Sequence, residues 1–237
     1  KSINSATSSV AYSNWRYNET TGNSNAPELS VSDYSIPHRI VASLSYGKEY
    51  AKRFKSTVSL VYTGQSGAPY NVTYYGDLNG DGSNGNDLVF IPTDEQIDAM
   101  QFKATPKLDA DQQKADLKAF LGSAKYLKDH RGEYYERNSD RMSFEHHFDF
   151  RFLQDFKFRV AKETHTLQFS VDIMNVGNLL NRKWGLESYM SNNSYSPITY
   201  SKGGEFQYTQ GDKYDPFKEI SNISSRWRCQ LGLRYIF

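Results

Sequence analysis

Arg226-Trp-Arg-Cys-Gln-Leu-Gly-Leu-Arg-Tyr-Ile-Phe237 alternates without a break to the last residue of the sequence. Trp227, Cys229, Leu231, Leu233, Tyr235 and Phe237 fall on one side; Arg226, Arg228, Gln230, Gly232 and Arg234 fall on the other, with Ile236 the one apolar residue out of phase. Successive side chains of a strand point to opposite faces, so the stretch predicts a strand with one apolar and one charged ribbon. Aromatics at both ends of the apolar ribbon, with aliphatics between them, fit a strand that crosses a bilayer between two interfacial girdles. The segment is expected to be the closing strand of an outer-membrane β-barrel.

The same period recurs upstream. Phe144, His146, Phe148, Phe150, Phe152, Phe156, Phe158 and Val160 share one face, against Glu145, His147, Asp149, Arg151, Asp155, Lys157 and Arg159. Gln154 interrupts the apolar side opposite Leu153, which predicts a bulge there. A polar link at 161–164 leads to Leu167, Phe169, Val171 and Ile173, alternating with Gln168, Ser170 and Asp172. Earlier come Ile40, Ala42, Leu44 and Tyr46, then Phe54, Val58, Leu60 and Tyr62, the latter continuing through Tyr70, Val72 and Tyr74. Six antiparallel strands are expected, near 8–17, 37–47, 54–75, 141–160, 165–177 and 226–237. Phe150, Phe152, Phe156, Phe158, Phe169, Val171, Leu231 and Leu233 should face outward, and Arg151, Asp172, Arg228 and Arg234 inward.

Composition agrees with that class. The 237 residues include 18 Tyr and 14 Phe, and aromatics reach 15%, as alternating strands with girdles require. No stretch approaches the roughly 20 apolar residues of a membrane helix, yet barrel strands show their hydrophobicity only at every second position. A net charge of +1 gives no reason to expect nucleic acid. Cys229 is the only cysteine, so no internal disulfide forms. The start Lys1-Ser-Ile-Asn has no signal peptide, which an outer-membrane protein needs, so the chain is expected to be a piece of a longer one.

Links near 47–53 and 161–164 are short; those near 18–36, 76–140 and 178–225 are long, polar and rich in Gly, Asn, Ser and Tyr. This alternation is that of periplasmic turns and extracellular loops, and it puts Phe237 on the periplasmic side. Because the smallest bacterial single-chain barrels have about eight strands, six cannot close. The chain is therefore read as the C-terminal section of a larger barrel, 1–237, with 76–140 and 178–225 as long extracellular loops. Within 76–140, Thr93 and Gln96 predict a capping box and a short helix. Leu117, Phe120, Leu121 and Ala124 predict an amphipathic helix over 109–128, with Gly132 after it.

Candidate chemistry is sparse. In Gly76-Asp-Leu-Asn-Gly-Asp-Gly-Ser-Asn-Gly-Asn-Asp87, the residues Asp77, Asn79, Asp81 and Gly82 match the opening of a calcium loop. The twelfth position is Leu88, and Asp87 comes one residue early, so the stretch reads either as a Ca²⁺ site (Asp77, Asn79, Asp81, Asp87) or as a turn needing positive φ. His146 and His147 point to opposite faces of a strand and cannot share a metal. Glu145, Asp149, Arg151, Asp172, Arg226 and Arg228 are expected to pair across strands rather than catalyse, and no nucleophile elbow or phosphate loop marks an enzyme. Trp184, Tyr189, Tyr195, Tyr200, Tyr208 and Tyr214 are candidates to stack on a ligand at the mouth, or else to pack the loops together.

At this point the residues resemble a family. Asn175-Val-Gly-Asn-Leu-Leu-Asn-Arg-Lys-Trp184, after an alternating strand, resembles the penultimate-strand motif of TonB-dependent outer-membrane transporters. Gly76–Gly82 with Asn86-Asp-Leu-Val-Phe-Ile-Pro92 is similar to the Oar-like branch, relatives of the SusC-like importers of Bacteroidetes. Tyr126-Leu127, Arg131-Gly-Glu-Tyr-Tyr-Glu-Arg-Asn138 and Phe148-Asp-Phe-Arg-Phe-Leu-Gln-Asp155 look like the same branch, and Ser139-Asp-Arg-Met142 departs from it. The resemblance implies a barrel of about 22 strands, closed by an N-terminal plug and energised through TonB. Leu233, Tyr235 and Phe237 resemble the signal read by the barrel-assembly machinery. Implied partners are the rest of the barrel and its plug, the TonB complex, lipid and lipopolysaccharide, and a surface lipoprotein. A passive porin-like barrel and a secreted calcium-dependent lectin or adhesin are the competing expectations.

Overall fold

The computed structural model describes residues 1–3, 8–188, 190, 193–201, 203–208, 219–220 and 225–237. In chain order it begins with helix α1 (Ala11–Arg16) and strands β1 (Arg39–Tyr50), β2 (Phe54–Gln65), β3 (Pro69–Tyr75) and β4 (Phe90–Ile91). Helices α2 (Asp94–Ala99), α3 (Ala110–Ser123) and α4 (Lys125–Asp129) follow, then β5 (Glu133–Tyr134), β6 (Asp140–Arg141), β7 (Glu145–Val160) and β8 (Glu163–Met174). The chain continues with α5 (Val176–Leu180), β9 (Glu187–Ser188), β10 (Ser194–Ser201), β11 (Glu205–Tyr208), β12 (Glu219–Ile220) and β13 (Arg228–Ile236). The fold is mostly β, the sheets are open, and no helix among the described residues is long and apolar enough to cross a membrane. Two units are separable: 1–35, 68–142 and 189–218 form one, and 36–67, 143–188 and 219–237 the other.

The second of these is built on one antiparallel sheet in the order β1-β2-β7-β8-β13. Its register extends the period-two pattern of each strand across the whole sheet. Leu44 lies opposite Leu60, Leu60 opposite Phe150, Phe150 opposite Ile173, and Ile173 opposite Cys229. The next row on the same face runs Tyr46, Val58, Phe152, Val171, Leu231. On the other face a row runs Ser45, Ser59, Arg151, Asp172, Gln230. A one-residue slip anywhere would turn a strand's apolar set onto the polar face, so both faces specify the register together.

Among the described residues of this unit, no second layer covers the apolar face. Every residue of β1 is exposed, as is every residue of β13 but one. Leu44 and Leu233 are each 73% exposed, and none of the buried hydrophobic residues of the chain belongs to this sheet. Aromatic rings gather at its two ends. Tyr62 packs on Phe148 at 4.9 Å; at the other end Phe54 meets Phe156 at 5.5 Å, and His165 stacks on Tyr235 at 5.6 Å. The turns at 51–53 and 161–162 are tight enough to hold Ala51, Lys52 and Ala161 at φ of 48°, 57° and 56°. Both turns lie at the same end, and Ile236, paired with Thr166, brings Phe237 there too. The long links leave from the opposite end, after Gln65 and Met174 and before Glu145 and Arg228.

Three strand expectations change. The stretch 8–17 holds helix α1 rather than a strand: Asn14 accepts from Ser8 N at 2.9 Å and donates to Ser8 O at 2.6 Å, tying a local turn. The segment 54–75 is two strands in two different sheets, so five strands, not six, share the large sheet. Gln154 causes no bulge, because β7 pairs with both neighbours without a register shift. Instead its side chain accepts from Ser56 Oγ at 2.6 Å and Tyr50 Oη at 3.0 Å, which satisfies a polar group on the apolar face.

The other unit carries a conventional core. A four-stranded sheet, β11-β10-β3-β6, has β10 parallel to β3 and its other pairs antiparallel. Tyr70, Val72 and Tyr74 of β3 are buried with Ile91, Ile97, Leu117, Leu121, Leu127 and Ile198. The opposite face of β3 is buried as well, and its polar groups are matched: Asn138 N donates to Asn71 Oδ1 at 2.7 Å, and Thr73 Oγ1 lies 2.7 Å from Ser196 Oγ. Thr93 and Gln96 form the expected capping box on α2. The helix expected over 109–128 breaks at Ala124, whose extended backbone (φ −104°, ψ 135°) separates α3 from α4. Leu117 is fully buried, so Leu117→Ala should cost this unit about 2–5 kcal/mol in chemical denaturation followed by near-UV circular dichroism. A loss below about 1 kcal/mol would mean that α3 does not hold the core.

Candidate functional site

Two features carry polar chemistry: the charged face of the large sheet, and the loops of the smaller-sheet unit. On the charged face, Arg151 and Asp172 are directly opposite in the register and form a two-pronged ion pair, with Arg151 Nη2 at 3.2 Å from Asp172 Oδ2. Lys157 reaches Glu49 at 2.6 Å, and Gln168 donates to Asp155 Oδ1 at 2.8 Å. Arg151 with Asp172 is one of the cross-strand pairs expected from the sequence. His147, Asp149, Glu187, Arg226 and Arg228 line a hollow of about 290 Å³ on that face. His146 points to the other side, where its Nδ1 lies 2.9 Å from Tyr62 Oη, so the two histidines are divided as their spacing requires.

Asn175 and Asn178 have a mechanical role. Asn175 takes a left-handed conformation (φ 52°, ψ 53°) that ends β8 and starts α5. Its Nδ2 donates to Ser225 O at 2.9 Å and to Gly185 O at 2.8 Å. Asn178 donates to Trp184 O at 2.9 Å and accepts from Trp227 N at 3.3 Å. The two amides thus clamp the start of β13 to the end of β8.

The expected calcium ligands separate into two roles. Asp81 is a turn residue: it accepts from Ser24 Oγ, from Ser83 N at 2.7 Å, from Asn79 Nδ2 at 3.2 Å and from Asn86 Nδ2 at 3.1 Å. Asn79 Oδ1 accepts from Asp81 N at 2.9 Å, so its oxygen is also engaged. Burial pushes the Asp81 carboxyl up, and the hydrogen bonds outweigh this and hold it below the ordinary range. Asp77 and Asp87 each keep one oxygen bonded to main-chain N–H groups and one buried oxygen without a donor. Among the described residues, no three His, Cys, Asp or Glu side chains form a metal-ligand group.

The loop aromatics mostly pack. Tyr195 and Tyr208 are buried, with Tyr195 5.3 Å from the Phe120 ring and Tyr208 N bonded to Gln113 Oε1 at 2.9 Å. Tyr200 is half-buried against Phe206. Tyr195 and Tyr208 are core residues of their unit, the packing alternative for these loop aromatics. Trp184 remains exposed, and Tyr189 and Tyr214 lie outside the described residues.

A cavity of about 350 Å³ went unmarked by sequence reasoning, since no local motif signals it. Glu19, Asn23, Glu28, Tyr135 and Arg137 are among its walls. Arg137 is 2% exposed and donates to Asn18 Oδ1 and, at 2.8 Å, to Ser2 O. Burial pushes the Glu19 carboxyl up to about 7, assisted by Asp33 and opposed by its own main chain, Arg137 and Asn71. No family model matches the chain, and neither the curated proteins nor the solved structures contain a match.

Because the Glu19 carboxyl titrates higher in the folded state than its ordinary 4.5, its contribution favours folding most below that value and is lost as pH rises toward about 7. The full effect is on the order of 3 kcal/mol. Glu19→Gln should flatten the stability slope between those pH values in paired denaturation titrations. Parallel slopes in the two proteins would show that Glu19 is not held neutral by its surroundings.

Proposed function

We propose that this chain is the C-terminal wall of a TonB-dependent outer-membrane transporter, with β1, β2, β7, β8 and β13 as successive membrane strands. The observation that carries the reading is the continuous apolar face of a single-layer sheet, in register over five strands and covered by none of the described residues of its own unit. Hydrocarbon is the solvent such a face suits, while charges paired on the opposite face suit a water-filled or plugged lumen. Phe148 and Phe158 stand ten residues apart on β7. At about 3.3 Å per residue and a tilt of about 40°, the rows between them span about 25 Å, the height of the apolar band of such barrels.

Connectivity supports the same reading. Short turns at one end and long links at the other are the arrangement of periplasmic turns and extracellular loops. Five strands leave two unpaired edges, and exposed edges invite pairing with further strands. In the proposed protein those strands belong to the remainder of the barrel, with β13 meeting its first strand. Transport, rather than passive diffusion, rests on the motif resemblance of 175–184 and 76–92; substrate recognition then falls to the loops at the mouth. A secreted lectin leaves exposed Leu44, Leu60, Leu231 and Leu233, all on one face, without a solvent.

Position along the strand should set the cost of a charge. In the protein folded into lipid vesicles, Leu231→Arg at mid-sheet should cost about 2–4 kcal/mol, and Trp227→Arg at the strand end about 0–1 kcal/mol. Equal costs in a denaturant titration would remove the membrane assignment. Uptake that persists in cells lacking TonB would instead leave the barrel and remove the energised mechanism.

A further inference from the structure

The loop between β3 and β4 holds negative charge that forms no ion pair with a Lys or Arg among the described residues. Asp77, Asp81 and Asp87 lie within eleven residues. The loop is nonetheless well ordered by its own bonds. Gly80, Gly82 and Gly85 adopt φ of 76°, 85° and 84°, and Gly85 N closes onto Gly76 O at 3.3 Å. Asp77 Oδ2 accepts from Gly82 N at 3.1 Å, and Asp87 Oδ2 accepts from Leu78 N at 2.8 Å.

Three acceptors are left over. Asp77 Oδ1, Asn86 Oδ1 and Asp87 Oδ1 are buried and have no hydrogen-bond donor. Asn86 is 2% and Asp87 4% exposed, so these are enclosed groups. Asn86 Nδ2 donates to Asp81 Oδ2 at 3.1 Å, and the second oxygen of Asp87 touches the N–H that directly follows Asp77. Hydrogen bonds thus tie Asn86 to Asp81, and Asp87 to the N–H that follows Asp77, and leave one buried oxygen unused on each of Asp77, Asn86 and Asp87. A buried carboxylate oxygen without a donor is costly unless a positive charge answers it.

We infer that the 77–87 loop is a Ca²⁺ site in which Asp77 Oδ1, Asn86 Oδ1 and Asp87 Oδ1 are the side-chain ligands, while Asn79 and Asp81 shape the turn. Two carboxylates and an amide are hard oxygen donors, and Ca²⁺ accepts an irregular shell of six to eight oxygens that main-chain carbonyls and water complete. Mg²⁺ demands near-octahedral geometry and holds its water more tightly, so it should bind more weakly here. The inference stands apart from the transport reading, since it rests on this loop alone.

The test uses the full chain folded in detergent and stripped of metal with EDTA, titrated with CaCl₂ in a calorimeter. One Ca²⁺ should bind per chain, and Asp77→Asn and Asp87→Asn should each weaken binding at least about tenfold, while Asp111→Asn on α3 leaves it unchanged. Hydrogen exchange on the unmutated protein gives a reading independent of whether the variants fold: Ca²⁺ should slow exchange over 77–88 in particular. No binding heat and no protection up to about 10 mM Ca²⁺, above the range of the weakest extracellular modules, would overturn the inference. Protection confined to another segment, or undiminished affinity in both folded variants, would overturn it equally.

Discussion

A sheet one layer thick, apolar on one side, cannot satisfy that side by itself. The rest of the large-sheet unit depends on this constraint. Apolar surface left in water costs about 25 cal/mol per Å², and here the surface is repeated row after row by an unbroken register. The polar side answers with its own economy: Arg151 with Asp172, Lys157 with Glu49, Gln168 with Asp155, each matched across or near the register. Even the exception, Gln154, is satisfied by Ser56 and Tyr50 rather than by solvent. The turns are short where the strands reverse, and the Asn175 and Asn178 amides fix where β13 begins.

The other unit meets the usual requirement in the usual way. Its hydrophobic residues turn inward, and β3 is buried on both faces because β10, β6, and the surrounding helices and loops supply partners. Buried polar groups such as Asn71, Thr73 and Asn138 are paired side chain to side chain or to main chain. Single oxygens of Asp77, Asn86 and Asp87 stay unpaired, and a carboxyl is held partly neutral at Glu19, all four in loops. Loops are where ligand chemistry concentrates when a rigid scaffold positions them.

The large sheet was legible because only one of its faces is apolar, so period two survives in every strand from Ile40 to Phe237. The same rule failed at β3. Tyr70, Val72 and Tyr74 keep the phase of Phe54 to Tyr62, but burial on both faces belongs to a different sheet, and the sequence break at 66–68 is too short to announce the change. Helix α1 is six residues held by Ser8 and Asn14, below the length at which helical period can be recognised. The stretches read as loops hide a core because its contacts link residues far apart in sequence, as Tyr208 does with Gln113. Tyr195 and Tyr208 read as polar-loop aromatics for that reason. The calcium-like opening of 77–82 was visible, yet which oxygens remain unused depends on Ser24 and on main-chain N–H groups that no motif spacing encodes.

The claim that lipid covers the apolar face is tested most directly on β13. Nitroxide labels placed one at a time at positions 228–236, beginning with the native Cys229, should be read by spin resonance in the protein folded into lipid vesicles. The account expects a period of two: labels at 229, 231, 233 and 235 collide with membrane-dissolved oxygen, and those at 228, 230, 232 and 234 are shielded from it. Labels at 229–235 that are shielded from oxygen and from a water-soluble relaxant alike would place protein, not lipid, over this face and contradict the account.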